Sequence, residues 1–286
     1  MYVFANQTSC CASCLLLTEG GAAGEPYPPD TGNWRIMNPQ VYLRGVIVER
    51  RDLTPKLWII RLRPEEELAF TPGQYVALGL PRGGRIIERP YSLVSASCER
   101  ELEFFLELVP GGQLTPLLYQ VGVCGEILIR RIAKGRFGFD SQSQHVNHLM
   151  IATVTGVAPF VSILRNQILN RDEHRPPPFS LLLLQGASTS AELGYGDELS
   201  ARARECEWFH YVPSLSRGWL DAGWPGELGR VDDTVRKYAD AFGFTAADTT
   251  AYLCGNPQMI VNVREILQRA GFSRGFIREE MYWPGA

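Results

Sequence analysis

The feature that most constrains this chain is a change of texture near residue 145. From Tyr42 onward it runs in short stretches rich in β-branched and aromatic residues. These are Val46-Ile47-Val48, Leu57-Trp58-Ile59-Ile60, Tyr75-Val76-Ala77-Leu78, Tyr91-Ser92-Leu93-Val94, Leu102 to Val109 and Glu126-Ile127-Leu128-Ile129. Turn residues separate them at Thr71-Pro72-Gly73, Arg82-Gly83-Gly84 and Pro110-Gly111-Gly112. Short strands at this spacing predict an antiparallel six-stranded barrel. Beyond residue 145 apolar strands at Leu149–Ala152, Phe179–Leu184, Trp208–Val212 and Thr250–Cys254 alternate with helical patterns. The helices are expected at Pro159–Asn170, after Tyr195, around residues 231–241 and at Pro257–Ala270. Such alternation predicts a doubly wound parallel sheet. The expected organisation is therefore a Gly/Pro-rich, flexible extension over residues 1–39, a barrel domain over 40–143 and an α/β domain over 144–286.

A length of 286 residues gives each of two domains a core of its own. The net charge of −3 excludes the strongly basic balance of a nucleic-acid binder. No apolar run reaches the ~20 residues that cross a bilayer, and the N-terminus lacks the positive start of a signal peptide, so a cytoplasmic protein is expected. Seven cysteines, four of them scattered singly, do not make a disulfide framework. Cys10, Cys11 and Cys14 contain a C-x-x-C, but no second ligand pair accompanies it and no metal site is expected.

Several motifs carry chemistry. Arg89-Pro90-Tyr91-Ser92 sets a guanidinium fork suited to phosphate beside an aromatic ring and a hydroxyl. In an extended strand Arg89, Tyr91 and Leu93 share one face, and Ser92 points oppositely unless the strand ends there. Alone, these residues equally fit a barrel strand with one charged edge residue. Gly111-Gly112-Gln113-Leu114-Thr115 is either a plain hairpin turn or a glycine turn into a short helix that offers backbone donors to an anion. Ile151 to Pro159, with Thr155-Gly156 in its loop, is a strand, a loop and a helix start of the kind that meets a dinucleotide pyrophosphate. Cys254-Gly255-Asn256-Pro257 closes the last predicted parallel strand; a cysteine so placed is more often a small buried residue than a nucleophile. Ser216-Arg217 and Arg230 follow another strand, where arginine favours NADP and an acid favours NAD.

In this order and at these distances, the motifs resemble the ferredoxin–NADP reductase superfamily over roughly residues 40–283. The final Glu280-Met281-Tyr282-Trp283 resembles its bacterial ferredoxin/flavodoxin–NADP reductases. The resemblance implies FAD held by Arg89, Pro90, Tyr91, Ser92, Gly111, Gly112 and Thr115, with Trp283 against the adenine end. It implies NADP(H) held by Thr155, Gly156, Pro159, Ser216, Arg217, Arg230 and Gly255. Ser92, Cys254, Glu280 and Tyr282 are then the catalytic residues: Ser92 beside flavin N5, Cys254 near the nicotinamide, Glu280 near the serine and Tyr282 over the flavin. The implied activity passes electrons between NADPH and a ferredoxin or flavodoxin by hydride transfer at flavin N5.

Three positions depart from the family pattern. Val154 replaces the first glycine of Gly-Thr-Gly, Gly186-Ala187-Ser188 lacks a third arginine, and Pro284-Gly285-Ala286 extends beyond Trp283. Two rival functions are an NADH-dependent electron-transfer component of an oxygenase and a non-catalytic flavin- or nucleotide-binding regulatory module. The basic run Arg130, Arg131, Lys134 and Arg136 either steers an acidic carrier or is a solvated strand end.

Overall fold

The computed structural model describes residues 37–139, 144–170 and 177–282. The expected flexible arm with Cys10, Cys11 and Cys14, and the terminal Trp283, lie outside these residues except for 37–39 of the arm. The first sheet holds β1 (Tyr42–Asp52), β2 (Leu57–Pro64), β3 (Tyr75–Arg82), β4 (Arg85–Ser92), β5 (Leu102–Glu107) and β6 (Glu126–Arg130). Their order is β4-β3-β6-β1-β2-β5, with every pairing antiparallel. Val94 N–H donates to Glu103 O at 2.9 Å, which brings the chain leaving β4 back to β5 and closes the barrel. Trp58, Leu62, Leu78 and Phe104 fill its interior, joined by Leu117 and Leu118 of α1 (Thr115–Gln120).

The second sheet holds β7 (Asn147–Thr153), β8 (Ser180–Ala187), β9 (Phe209–Leu215), β10 (Glu227–Leu228), β11 (Thr249–Gly255) and β12 (Ile277–Met281). It is parallel throughout, in the order β10-β9-β8-β7-β11-β12. The interleaved helices are α2 (Ala158–Leu169), α3 (Gly196–Glu205), α4 (Val231–Ala241) and α5 (Pro257–Arg269). Side chains of α2 and α3 pack with one face of the sheet, and those of α4 and α5 with the other. Strands continue to one side of β7 through β8 and β9, then return on its other side as β11. The topological switch point therefore lies between β7 and β11, where doubly wound sheets bind ligands.

Helix α2 also fastens the two sheets together. Leu57, Ile59 and Phe105 of the barrel share a core with Ala158, Phe160 and Val161. Ser162 Oγ donates to Ser95 O at 2.7 Å, and Ser97 Oγ to Asn166 Oδ1 at 2.8 Å.

Three elements differ from the sequence expectation. The strand expected at Tyr91–Val94 is the end of a longer one, Arg85–Ser92. Leu93 then gives its N–H to Gln74 O, and Val94 crosses to β5. Strands β10 and β12 were not expected, because the first has only two residues and the second, Ile277-Arg278-Glu279-Glu280-Met281, is dominated by charge. The basic run at the end of the barrel is partly spent on internal pairs. Arg130 makes two bonds of 2.8 Å to Glu88, and Arg131 bonds Glu66 at 2.7 and 2.9 Å.

Candidate active site

Four polar side chains meet where the barrel faces the switch point. Ser92, the last residue of β4, is only 7% exposed. Its hydroxyl donates to Glu280 Oε1 at 3.0 Å and accepts from the Tyr282 hydroxyl at 2.6 Å. Glu280 lies on β12 directly opposite Cys254 of β11 in the strand register. Tyr282 follows β12, and its backbone N–H bonds Gly255 O at 2.9 Å. The structure thus brings together the four residues named from sequence as catalytic, drawing them from both sheets.

Burial sets their protonation. Cys254 is fully buried; desolvation, and then the neighbouring Glu280, push its thiol well above the ordinary range. It is a neutral thiol rather than a nucleophilic thiolate. Desolvation also raises Glu280, with the Ser92 hydroxyl opposing it. The Tyr282 hydroxyl is raised by burial and by the adjacent Cys254 and Glu280. The cluster therefore keeps its protons at pH values where exposed carboxyls have lost theirs.

The turn after β7 builds the floor of the switch point. A Cβ on Gly156 would sit 2.4 Å from Cys254 O, and one on Gly255 2.4 Å from Thr153 Oγ1. Gly255 also has φ +121°, a conformation L side chains rarely adopt. The two glycines let the turn Val154–Val157 lie backbone to backbone against the end of β11. Asn256 N–H reinforces this with a 2.8 Å bond to Thr153 Oγ1. Val154 has φ +44°, the left-handed region that strains a β-branched residue. Pro159 lies in the first turn of α2, and Thr155 and Gly156 form the approach to it. At α5, Asn256 Oδ1 accepts from Gln258 N (2.9 Å) and Met259 N (3.2 Å), so the helix start is already capped.

On the barrel side, Arg89 and Tyr91 are both half-buried on β4, and Arg89 Nη1 donates to Glu88 O at 2.8 Å. Pro90 between them is exposed. Gly111 borders open space, since its Cβ position has no atom within 4 Å. A Cβ on Gly112 would meet Val109 O at 3.0 Å. Thr115 differs from expectation. Its hydroxyl accepts from Val109 N at 3.0 Å and contacts Val109 O at 3.3 Å, so it braces the loop instead of pointing outward.

Ser216, Arg217 and Arg230 lie together past the end of β9. Ser216 N–H bonds Ala187 O, and Gly229 N–H bonds Leu215 O, each at 2.9 Å. Arg217 is exposed. Arg230 Nε donates to Asp232 at 3.1 Å, and Asp232 also accepts from Asn262 at 2.7 Å. Sequence reasoning missed Asp232, and it missed Glu192, whose carboxylate accepts from Ser188 N–H at 2.8 Å beyond the end of β8. Only a spatial contact joins Glu192 to Ser188, four positions away.

Residues 150–265 match the family described as oxidoreductase NAD-binding domain. The chain is 30% identical to the flavodoxin/ferredoxin–NADP reductase of Shigella flexneri, covering 68% of this chain and 77% of that one. It is 31% identical to the reductase component of phenol 2-monooxygenase from Pseudomonas sp., covering 84% of this chain and 65% of the relative. Among solved structures it resembles a ferredoxin NADP+ reductase from Neisseria gonorrhoeae with bound FAD and NADP. The TM-score is 0.74 and the identity 27%, over 85% of this chain and 99% of that one. A six-stranded barrel joined to a parallel sheet, four protic residues at their junction and these relatives agree: the chain belongs to the ferredoxin–NADP reductase family of electron-transfer oxidoreductases.

Proposed function

We propose that this protein binds FAD and NADP(H) and passes electrons between NADPH and a ferredoxin or flavodoxin. The observation that carries the reading is the hydrogen-bonded chain Tyr282–Ser92–Glu280 beside Cys254, formed across the junction of the two sheets. The residues present fit both groups. The switch point is narrowed to backbone by Gly156 and Gly255, and Arg89 and Tyr91 share a face of β4. Arg89, Tyr91, Ser92 and the Gly111–Gly112 turn would hold FAD. Thr155, Gly156, Pro159, Ser216, Arg217 and Arg230 would hold the dinucleotide. FAD, when bound, links the two-electron chemistry of nicotinamide to the one-electron chemistry of a protein carrier.

The chain's own contribution is protonic and steric. Burial raises Glu280 above the ordinary carboxyl range, and it accepts the Ser92 hydroxyl, which sets a titratable carboxyl one hydrogen bond from the junction. Cys254 is a small neutral group buried beside it, and Tyr282 donates its hydroxyl to Ser92.

A second reading, an NADH-dependent component of an oxygenase system, has one observation in its favour. Glu192 places a carboxylate at the end of β8, where an acid suits an unphosphorylated ribose.

The test is to purify the protein, record its flavin spectrum and compare NADPH with NADH as reductants of a ferredoxin or flavodoxin. NADPH should be the better donor. Arg217→Ala should raise the Michaelis constant for NADPH roughly tenfold or more, as expected for a charge-assisted bond of about 1.5–3 kcal/mol, with that for NADH nearly unchanged. Preference of the wild type for NADH supports the second reading; failure to take up FAD removes both.

A further inference from the structure

We infer that Asp232 is a positioning residue for Arg230, holding its guanidinium ready for the 2′-phosphate of the dinucleotide, an inference that rests on the reading of Arg230 above. Asp232 is too buried to meet a ligand itself, being 5% exposed in the first turn of α4. Its carboxylate accepts from Arg230 Nε at 3.1 and 3.3 Å and from Asn262 Nδ2 of α5 at 2.7 Å. Asn262 Oδ1 in turn accepts from Gln258 Nε2 at 2.9 Å, one turn back on α5. A polar chain Gln258–Asn262–Asp232–Arg230 therefore runs from the start of α5 to the start of α4. The backbone under Arg230 is fixed as well. Gly229 O accepts from Ser214 Oγ at 2.8 Å, and Asp233 N–H bonds Arg230 O at 3.0 Å. A Cβ on Gly186 of β8 would fall 2.8 Å from the Val231 side chain, so α4 starts hard against the sheet.

The geometry gives the Arg230 guanidinium two ends with different tasks. Nε faces the buried carboxylate, while the side chain as a whole is 55% exposed. Its two terminal nitrogens make no hydrogen bond to the described residues and remain to grip two phosphate oxygens. Arg217, past the end of β9, is exposed and has no such anchor among the described residues. A phosphate meeting Arg217 must therefore immobilise a loose side chain, whereas Arg230 is already aimed by the fold. Asp232 also has an opposing effect, because its negative charge weakens the pull of Arg230 on an anion. Aim and charge thus work against each other at this pair. Variants of equal charge separate them.

The experiment titrates the FAD-loaded wild type, Asp232→Asn and Asp232→Ala with adenosine 2′,5′-bisphosphate and with ADP, following binding calorimetrically. Both replacements are neutral, so the loss of charge is common to them, but only Asn keeps an oxygen for Arg230 Nε. Asp232→Ala should bind the bisphosphate roughly 2- to 10-fold more weakly than Asp232→Asn, the range for having to immobilise one long side chain on binding. ADP, which has no 2′-phosphate, should bind the two variants equally. Melting temperatures check that each variant is folded. If Asp232→Ala is not, Asp232→Ser, polar but too short to reach Nε, takes its place with the same expectation. Equal affinity of the Asn and Ala variants for the bisphosphate overturns the inference and leaves Asp232 only a counter-charge. A loss for ADP as large as that for the bisphosphate also overturns it, since the lobe as a whole would then be disturbed. A wild type that binds ADP as tightly as the bisphosphate removes the reading of Arg230 itself, and the inference falls with it.

Discussion

Glu280 shows what one buried carboxyl does to this protein's pH response. Burial raises it above its ordinary value of 4.5, so the folded chain holds the proton more tightly than the unfolded chain. The stability it contributes is complete below the ordinary value and is lost as pH rises through the raised folded value. Glu280→Gln keeps an oxygen to accept from Ser92 and removes the charge. The variant should therefore gain stability relative to wild type as pH climbs from the acid side, levelling off above the folded value. Urea midpoints of the two proteins measured from acid to neutral pH check this. A difference that does not vary with pH would mean that Glu280 is not a buried, proton-holding group.

At the scale of elements, the decisive contact is between the turn Val154–Val157 and the end of β11. Gly156→Ala would place a methyl 2.4 Å from Cys254 O, and backbone on both sides leaves little room to yield. Overpacking of this kind costs about 1–3 kcal/mol and would displace Cys254 relative to Ser92. Denaturant unfolding gives the cost directly, and an unchanged midpoint would show that the turn can move away freely. Most elements that create this contact were legible in the sequence. Apolar runs such as Leu149–Ala152 and Leu181–Leu184 mark the buried parallel strands, and Pro159 and Pro257 mark two helix starts. Strand β12 was not legible, because an edge strand at the end of a sheet needs no second apolar face and its charged residues read as loop. Ser92, Cys254, Glu280 and Tyr282 could be named only through the family resemblance that their motifs carry. The register that sets Glu280 opposite Cys254 depends on β12 and emerges only in the fold. The engagement of Thr115 with Val109 was hidden for a related reason. A hydroxyl one turn from a glycine loop can face inward or outward, and only the loop's backbone path decides.

For the whole molecule, the question is what keeps the barrel and the parallel sheet in a fixed relation, since the site exists only at their junction. Beyond the apolar contact at α2, an ionic network crosses the boundary. Glu103 of β5 is 5% exposed and pairs with Arg61 of β2 at 2.8 Å and with Arg165 of α2 at 3.3 Å. Arg165 continues to Glu198 of α3 at 2.7 Å and lies over the Tyr195 ring, 5.4 Å from its centroid. None of these residues stands out in the sequence, where they are four unremarkable charges and a tyrosine far apart. Burial alone would raise the Glu103 carboxyl, but Arg165, the Tyr195 hydroxyl and Arg61 outweigh it and hold it below the usual carboxylate range. The sign is opposite to that of Glu280. Stability from Glu103 is present above the ordinary carboxylate value and is lost as pH falls through the lowered folded value. Glu103→Gln should cost about 1.5–3 kcal/mol at neutral pH, the worth of a hydrogen bond to a charged group, because Arg165 retains Glu198 and Arg61 is partly solvated. The cost should shrink on acidification, whereas the gain from Glu280→Gln disappears over the same range. Unfolding of both variants along one pH series separates the two groups. If the Glu103→Gln cost stays constant down to acid pH, the network does not carry the charge that ties the sheets together, and the junction depends on the apolar packing of α2 and on neutral hydrogen bonds such as Ser162–Ser95 and Ser97–Asn166.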